Sequence, residues 1–179
     1  IPRNADFNGA EQSGAGLFQV TQKNGERWAA ARAYLDRRDN LEIITDAMVE
    51  RVLFEEGRVW GVAYQRDGQA REIRARHAVV LAAGAFQTPQ LLMLSGIGPA
   101  NDLRRQGLKV VHDAPGVGGN LQDHLDICTL FHATQRITYD RASDVAIAWD
   151  YFVRGRRGPG TSNIAEAGGF YRSPLAPDD

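Results

Sequence analysis

Several residue types and motifs are scarce in this sequence of 179 residues or absent from it. A single cysteine, Cys128, excludes a disulfide within the chain and fits a reducing compartment. No apolar run approaches the ~18 residues of a membrane-spanning helix. The formal net charge of −1 supplies no basic field for nucleic acid or an anionic membrane. Phosphate-binding loops, nucleophile motifs and metal-ligand spacings are also missing, so we expect neither a nucleic-acid partner nor a metal.

Up to Gly107 the sequence pattern predicts a mixed arrangement of helices and strands. Residues 1–25 carry glycines among polar residues and predict an irregular segment with one strand. The next stretch, Glu26–Asp36, is rich in Ala, Arg and Leu, which predicts a helix. The apolar segments Leu41–Thr45 and Val79–Ala83 are typical of strands buried on both faces. The fold class is therefore α/β in the mixed α+β sense.

Two turn dipeptides divide the region between those apolar segments. Glu56-Gly57 separates Val49–Glu55 from Val59–Gln65, and Asp67-Gly68 leads into Arg71–Arg76. Turn residues flanked by alternating apolar and polar positions are typical of hairpins. The sequence thus predicts a three-stranded antiparallel meander. Farther along the chain, a helix is predicted over Ser143–Val153 with Ser143 as its N-cap.

The stretch VVLAAGAFQTPQLLMLSGIGP, residues 79–99, combines a strand pattern with a short apolar helix. Thr88 suits an N-cap and Pro89 the first helical position, so we predict a helix over Gln90–Leu94 that Gly96 terminates. Its run of apolar residues has no polar face and predicts burial on all sides.

Small residues, Ala82-Ala83-Gly84-Ala85, occupy the junction between the predicted strand and the helix. Ligands of α/β sheets bind at the carboxyl ends of strands, so this junction is a candidate wall for a cofactor that carries a phosphate or a ring. Small side chains also serve tight packing between a strand and a helix. On the pattern alone both interpretations stay open.

One segment, GAFQTPQLLMLSGIG at Gly84–Gly98, resembles the second signature of the glucose-methanol-choline (GMC) family of FAD-dependent oxidoreductases. Its neighbours agree in order along the chain. The segment Asp6–Leu35 resembles the corresponding stretch of bacterial members that are similar to choline dehydrogenase, PGVGGNLQDHL at Pro115–Leu125 resembles another of their motifs, and Ser162–Phe170 resembles a strand of their substrate domain. The resemblance therefore covers nearly the whole chain.

This resemblance implies that the parent protein oxidises an alcohol, choline or another primary alcohol, by hydride transfer to FAD. It also implies FAD contacts at Val49, whose backbone would meet the adenine ring, and at Ala83 and Gly84 at the strand end. The family's dinucleotide fingerprint and catalytic histidine lie outside these residues. We therefore expect a central fragment that carries no catalytic residue of its own, is inactive alone and does not retain FAD.

The same resemblance implies two domains. Residues 1–106 would be the central part of an FAD-binding domain, with the irregular segment 1–25, and residues 107–179 the beginning of a substrate-binding domain. The alternative from another class is a self-standing α/β binding or interaction module without the chemistry.

The predicted partners are an alcohol and an electron acceptor, whose identities stay open. Hydrophobic edges beside the two predicted buried strands would favour self-association of the chain. We expect a cytoplasmic location, with peripheral attachment of the parent protein to the inner membrane left open.

Overall fold

The computed structural model describes residues 1–36, 38–135, 138–139 and 142–176. Helices and strands alternate irregularly along the chain, and the sheets are small. In chain order the elements are β1 (Gly14–Leu17), β2 (Gln22–Lys23), β3 (Glu26–Arg27), a π-helical turn (Ala31–Leu35), β4 (Met48–Glu55), β5 (Arg58–Arg66), β6 (Gln69–Arg74), α1 (Gly84–Leu94), β7 (Ile97–Gly98), α2 (Ala100–Arg105), β8 (His112–Asp113), α3 (Asp144–Phe152), a 3₁₀ turn (Gly158–Thr161) and β9 (Ala167–Phe170).

The chain forms two compact units. We call Glu42–Cys128 the central unit, and Ile1–Leu41 together with Thr129–Asp179 the terminal unit. The predicted boundary between residues 106 and 107 falls inside the central unit. The assignment of residues 1–106 and 107–179 to an FAD-binding and a substrate-binding domain stays a prediction.

The central unit is built on the antiparallel sheet β4-β5-β6, which confirms the predicted meander. Both of its connections are two-residue turns with positive φ at each position: +50° and +77° at Glu56-Gly57, and +52° and +72° at Asp67-Gly68. These are the angles of type I′ turns, whose twist matches that of the strands they join. Turn chemistry readable in the sequence therefore sets the register of the sheet.

Burial of apolar side chains is concentrated in the central unit. Among the described residues, every apolar side chain that is buried belongs to β4, β5, α1 or α2: Val52, Ala63, Tyr64, Leu91, Ala100 and Leu103. Leu103 is the most deeply buried, with 2% of its surface exposed. α1 lies against β4, so this core joins the helix to one edge of the sheet.

The two segments predicted as buried strands, Leu41–Thr45 and Val79–Ala83, are not strands. Ile43 is 56% exposed and Val80 is 86% exposed. A strand needs a partner for its backbone N–H and C=O groups, and no described strand pairs with either segment. The argument for self-association from these two edges therefore loses its structural basis, and self-association itself stays a prediction.

Helix α1 is longer than predicted and less buried. It begins at Gly84, so Pro89 lies inside it and Thr88 is not its N-cap. Leu91 is buried, but Leu94 is exposed, so the predicted burial on all sides is wrong. The end of the helix is as predicted: Gly96 follows the cap residue with φ of +87°, the left-handed conformation typical after a helix.

The predicted helix over Glu26–Asp36 is replaced by two smaller elements. Lys23 pairs with Glu26 across the Asn24-Gly25 turn, so the segment starts as strand β3 of a hairpin, and only Ala31–Leu35 is helical, as a π-helical turn. Asn-Gly is a strong hairpin signal, and here it outweighs the helix propensity of the residues that follow.

The helix predicted over Ser143–Val153 is confirmed, whereas residues 1–25 contain two strands, β1 and β2, instead of one. Helix α3 follows Ser143, whose Oγ accepts a hydrogen bond from the Ala146 N–H. β1 and β9 pair as antiparallel strands. Among the described residues, no helix is long and apolar enough to cross a membrane.

Candidate functional site

A cleft of about 740 Å³ lies between β4 and α1 in the central unit. Two of the predicted contact residues, Val49 on β4 and Ala83 just before α1, line it together. They are separated in the sequence by most of the meander, and the packing of α1 against β4 brings them to one site. The remaining lining residues are Ala47, Met48, Glu50, Arg51, Gln87, Gln90, Leu91 and Leu94.

Gly84, the third predicted residue, is next to this cleft but does not line it. It is the first residue of α1 and has φ of +87°, a conformation that costs glycine little and other residues more. A Cβ at this position would meet no atom within 4 Å. Gly84 is therefore required by backbone conformation rather than by crowding within the described chain.

A β-bulge shapes the β4 wall of the cleft. Val49 pairs with Tyr64 and Arg51 with Ala63, so Glu50 is an extra residue without a partner in the ladder. Bulges bend a strand and are frequent beside functional sites. β4 is also an edge strand, so one side of its backbone has no strand neighbour among the described residues. Sequence reasoning missed Glu50, and no glycine marks the bulge.

Ser95 connects the two walls of the cleft. Its Oγ accepts a hydrogen bond of 2.8 Å from the N–H of Val52 on β4 and donates one of 2.6 Å to the carbonyl oxygen of Leu91 on α1. Ser95 is buried, with 7% of its surface exposed. Sequence reasoning treated Ser95 only as part of the helix stop. The available signal was a hydroxyl at the end of an apolar helix.

Thr88 forms a hydrogen bond with the backbone of Ala83, the second predicted residue that lines the cleft. Its Oγ1 accepts a hydrogen bond of 3.0 Å from the N–H of Ala83, the residue that precedes α1. The Thr88 hydroxyl was predicted to cap a helix that begins at Pro89. It instead accepts a hydrogen bond from the N–H of Ala83, which precedes the first turn of α1. This hydrogen bond helps to position Ala83 within the stretch of small residues Ala82–Ala85.

The glycine-rich loop Pro115–Asn120 borders a second, more apolar cleft of about 810 Å³ on α1. A Cβ at Gly118, which has φ of +75°, would come within 2.7 Å of the methyl carbon of Met93. The positive φ favours glycine at this position, and a Cβ there would also require the flexible end of Met93 to move. Two motifs that the sequence places far apart are therefore packed against each other.

The terminal unit contains a separate cleft of about 990 Å³, lined by Trp28, Tyr34 and Tyr151 among others. Glu26 bridges two guanidinium groups beside it, at 3.0 Å from Arg32 and 2.6 Å from Arg156. None of the residues predicted for cofactor binding lies here.

The exposed carboxylate of Glu166 also belongs to the terminal unit. Hydrogen bonds from Ser162 and from Tyr139 lower the pKa of the Glu166 carboxyl group, and the Tyr139 Oη lies 2.7 Å from the carboxylate.

His124, which follows Asp123 in the loop after Asn120, is exposed. Within the described ranges, no three His, Cys, Asp or Glu side chains are grouped as metal ligands.

Comparison with known proteins decides the family. The profile of the GMC oxidoreductase family matches residues 1–126. The chain belongs to the GMC oxidoreductases. The motifs around Gly84 and Pro115 that resembled this family lie within the matched region, and the mixed helices and antiparallel sheet agree with the predicted fold class.

Curated alcohol and choline dehydrogenases are similar over almost the whole chain. An alcohol dehydrogenase [acceptor] of Pseudomonas putida is 44% identical over 97% of the chain. An oxygen-dependent choline dehydrogenase of Pseudomonas syringae is 43% identical over 98%, and the mitochondrial choline dehydrogenase of Homo sapiens is 42% identical over 96%. The chain spans about a third of the length of these relatives (33%, 33% and 30%).

Solved structures of two oxidases share the fold. A formate oxidase superposes with a TM-score of 0.79 and 28% identity, covering 96% of this chain and 31% of the other. A pyridoxine 4-oxidase superposes with a TM-score of 0.60 and 34% identity over 64% of this chain and 23% of the other. The formate oxidase of Aspergillus oryzae has also been solved in work on the modification of its FAD.

Proposed function

We propose that the protein that carries this chain is an FAD-dependent oxidoreductase that oxidises an alcohol, and that the β4–α1 cleft binds the adenine half of FAD. The observation that carries the proposal is the meeting of Val49 and Ala83 in one cleft. The curated relatives are named for choline and alcohol oxidation, which supports an alcohol as the substrate class.

The residues of the cleft fit such a ligand. Its volume of about 740 Å³ is in the range of small-molecule sites. The edge of β4 beside Val49 can offer main-chain N–H and C=O groups to a flat heterocycle, whatever the side chain. Ala83 presents no atom beyond Cβ, so a ring can approach the backbone there. Gly84 would allow the same close approach at the start of α1.

FAD, when bound, supplies the acceptor for the hydride of the alcohol. The role of this chain is to bind and orient the end of the cofactor remote from that chemistry. No G-x-G-x-x-G fingerprint occurs in the sequence. We propose no catalytic role for any of its residues. We therefore propose that the chain by itself does not oxidise alcohols or retain FAD. A cytoplasmic location and the choice of choline or another primary alcohol belong to the same proposal.

A substitution that fills the cleft tests the binding site. In protein expressed from its complete reading frame and stripped of flavin, Ala83→Leu should weaken FAD binding by about tenfold or more, since the added side chain occupies the space of the ring. Quenching of flavin fluorescence gives the affinity. Ala82→Leu is the matched control, because Ala82 is exposed and does not line the cleft.

The outcome also separates the enzyme from the non-catalytic module. Bound FAD together with dye reduction by choline, an aliphatic alcohol or an aromatic alcohol is the expected result. Complete absence of flavin binding by the unsubstituted protein would support the binding module instead. Equal FAD affinity of the Ala83→Leu and Ala82→Leu proteins would remove the cleft from the proposal while leaving the enzyme in place.

A further inference from the structure

Ser95 stands out among the described residues as a buried polar side chain surrounded by an apolar core. Burial of a hydroxyl is unfavourable unless its hydrogen-bonding capacity is used. Ser95 uses both roles of the hydroxyl, as donor to Leu91 and as acceptor from Val52. The two partners belong to different elements, α1 and β4.

The donor bond is common at the end of a helix. A serine hydroxyl often donates to the carbonyl oxygen four residues earlier, here Leu91. The acceptor bond is the unusual one, because the Val52 N–H comes from a residue 43 positions away. Since that N–H donates to Ser95, it points away from β5 and toward the edge of the sheet. Ser95 therefore occupies a position on the edge of β4 where another strand would otherwise pair.

This bridge lies at one end of the cleft. Val52 directly follows Arg51, which lines the β4 wall, and Leu91 itself lines the α1 wall. The residue after Ser95 is closely packed, because a Cβ at Gly96 would collide with the carbonyl oxygen of Lys109. The Ser95 hydroxyl connects the two walls of the cleft near the bulge at Glu50.

We propose that Ser95 is a positioning residue for cofactor binding: its paired hydrogen bonds set the separation of β4 and α1 and thereby the width of the cleft that receives adenine. The inference rests on the proposed function of that cleft. Ser95 touches no ligand in this arrangement and acts through Val52 and Leu91.

The test uses ADP as the probe, since ADP carries the adenine half without the flavin ring. In the flavin-free protein expressed from its complete reading frame, Ser95→Ala should weaken ADP binding by about tenfold, because both hydrogen bonds of the bridge are lost. Titration calorimetry gives the affinity. Ser95→Cys, which keeps a weak donor and acceptor of similar size, should recover part of it.

A variant destabilised elsewhere separates positioning from general stability. Leu103→Ala removes the most deeply buried side chain of the same unit without altering the bridge. Its ADP affinity should stay within about twofold of the unsubstituted protein under conditions where it is folded. Equal losses in Ser95→Ala and Leu103→Ala, or no loss in Ser95→Ala, would overturn the inference.

A measurement on the unsubstituted protein covers the case in which Ser95→Ala does not fold. If the bridge and the ligand are coupled, ADP must strengthen the bridge as much as the bridge strengthens ADP binding. Hydrogen exchange of the Val52 N–H should therefore slow on addition of ADP. Unchanged exchange with ADP bound would refute the positioning role. Failure of the unsubstituted protein to bind either ADP or FAD would instead reject the proposed function, and the inference with it.

Discussion

The contacts that stabilise the central unit differ in kind from those that stabilise the terminal unit. In the central unit a three-stranded sheet and two helices enclose apolar side chains such as Leu103. The described part of the terminal unit has short two-stranded pairings and surface contacts instead, including the Phe7–Phe18 ring pair at 5.7 Å and Lys23 over Trp28 at 4.7 Å. We therefore expect similar substitutions to reduce the stability of the central unit more than that of the terminal unit.

The energetic contrast follows from the surroundings of each contact. A buried aliphatic side chain contributes roughly 1.5–3 kcal/mol, whereas an exposed ion pair such as Glu26–Arg32 contributes about 0–1 kcal/mol. Candidate binding residues Val49 and Ala83 lie in the central unit, where Val49 pairs with Tyr64 in the sheet and the Ala83 N–H donates a hydrogen bond to Thr88. The proposed cofactor cleft is thus in the unit that contains the buried apolar core.

The largest contrast is expected from truncating an apolar side chain in each unit. Leu103→Ala should lower the free energy of unfolding by about 2–5 kcal/mol, because it leaves a cavity in the core. Val145→Ala on α3 should change it by less than about 0.5 kcal/mol, since Val145 is 79% exposed. Urea unfolding followed by circular dichroism measures both.

Hydrogen exchange resolved by peptide assigns each loss to its unit. Leu103→Ala should increase exchange in β4, β5 and α1 of the central unit. A Val145→Ala protein as strongly destabilised as Leu103→Ala would break the comparison, because it would mean that α3 is buried.

A smaller contrast is expected from two glycines with similar backbone angles. Gly96 in the central unit and Gly155 in the terminal unit have φ of +87° and +79°. A Cβ at Gly96 would strike the Lys109 carbonyl oxygen, whereas one at Gly155 would meet nothing within 4 Å. Gly155→Ala should therefore cost only the backbone strain of about 1 kcal/mol, and Gly96→Ala should cost about 1–3 kcal/mol more.

Thermal unfolding of the two alanine variants gives the comparison directly. Equal losses of stability in Gly96→Ala and Gly155→Ala would show that backbone strain alone sets the cost of both substitutions. Packing around Gly96 would then be no tighter than packing around Gly155.

The smallest effect concerns pH and is confined to the terminal unit. Hydrogen bonds from Ser162 and Tyr139 lower the pKa of Glu166 below its ordinary value of 4.5. The contribution of ionised Glu166 to the stability of the fold is therefore fully present at a pH above 4.5. It is lost as the pH falls through the lowered pKa of Glu166. Tyr139→Phe should raise the pKa of Glu166 toward the ordinary value and reduce this acid sensitivity.

An NMR titration of the Glu166 carboxyl carbon measures that pKa. Tyr34→Phe is the control, because the Tyr34 side chain is exposed and is not among the groups that shift Glu166. A Glu166 pKa that stays unchanged in Tyr139→Phe would assign the whole shift to Ser162.

Parts of the fold were predictable because the signal is local. Glu56-Gly57 and Asp67-Gly68 adopt the left-handed angles that two-residue hairpins need, so the meander could be predicted from four residues. Asn24-Gly25 carried the same signal, and the helix propensity of the residues after it led to the wrong prediction. Turn dipeptides were more reliable here than propensity.

Predictions that depended on distant partners were less successful. Leu41–Thr45 and Val79–Ala83 have the composition of buried strands, but composition does not supply a neighbouring strand. For the site, the resemblance led to Val49 and Ala83, while the bulge at Glu50 was missed because it is a property of the pairing between β4 and β5.

By itself the sequence determined the hairpin turns, the stop of α1 at Gly96 and membership of the GMC family, since each is written in residues adjacent along the chain. Only the tertiary structure decided that Val49 and Ala83 share a cleft and that Ser95 bridges its walls. The physical reason is distance along the chain. A hydrogen bond between Ser95 and Val52 depends on how α1 packs against the edge of β4, and no local pattern specifies that packing.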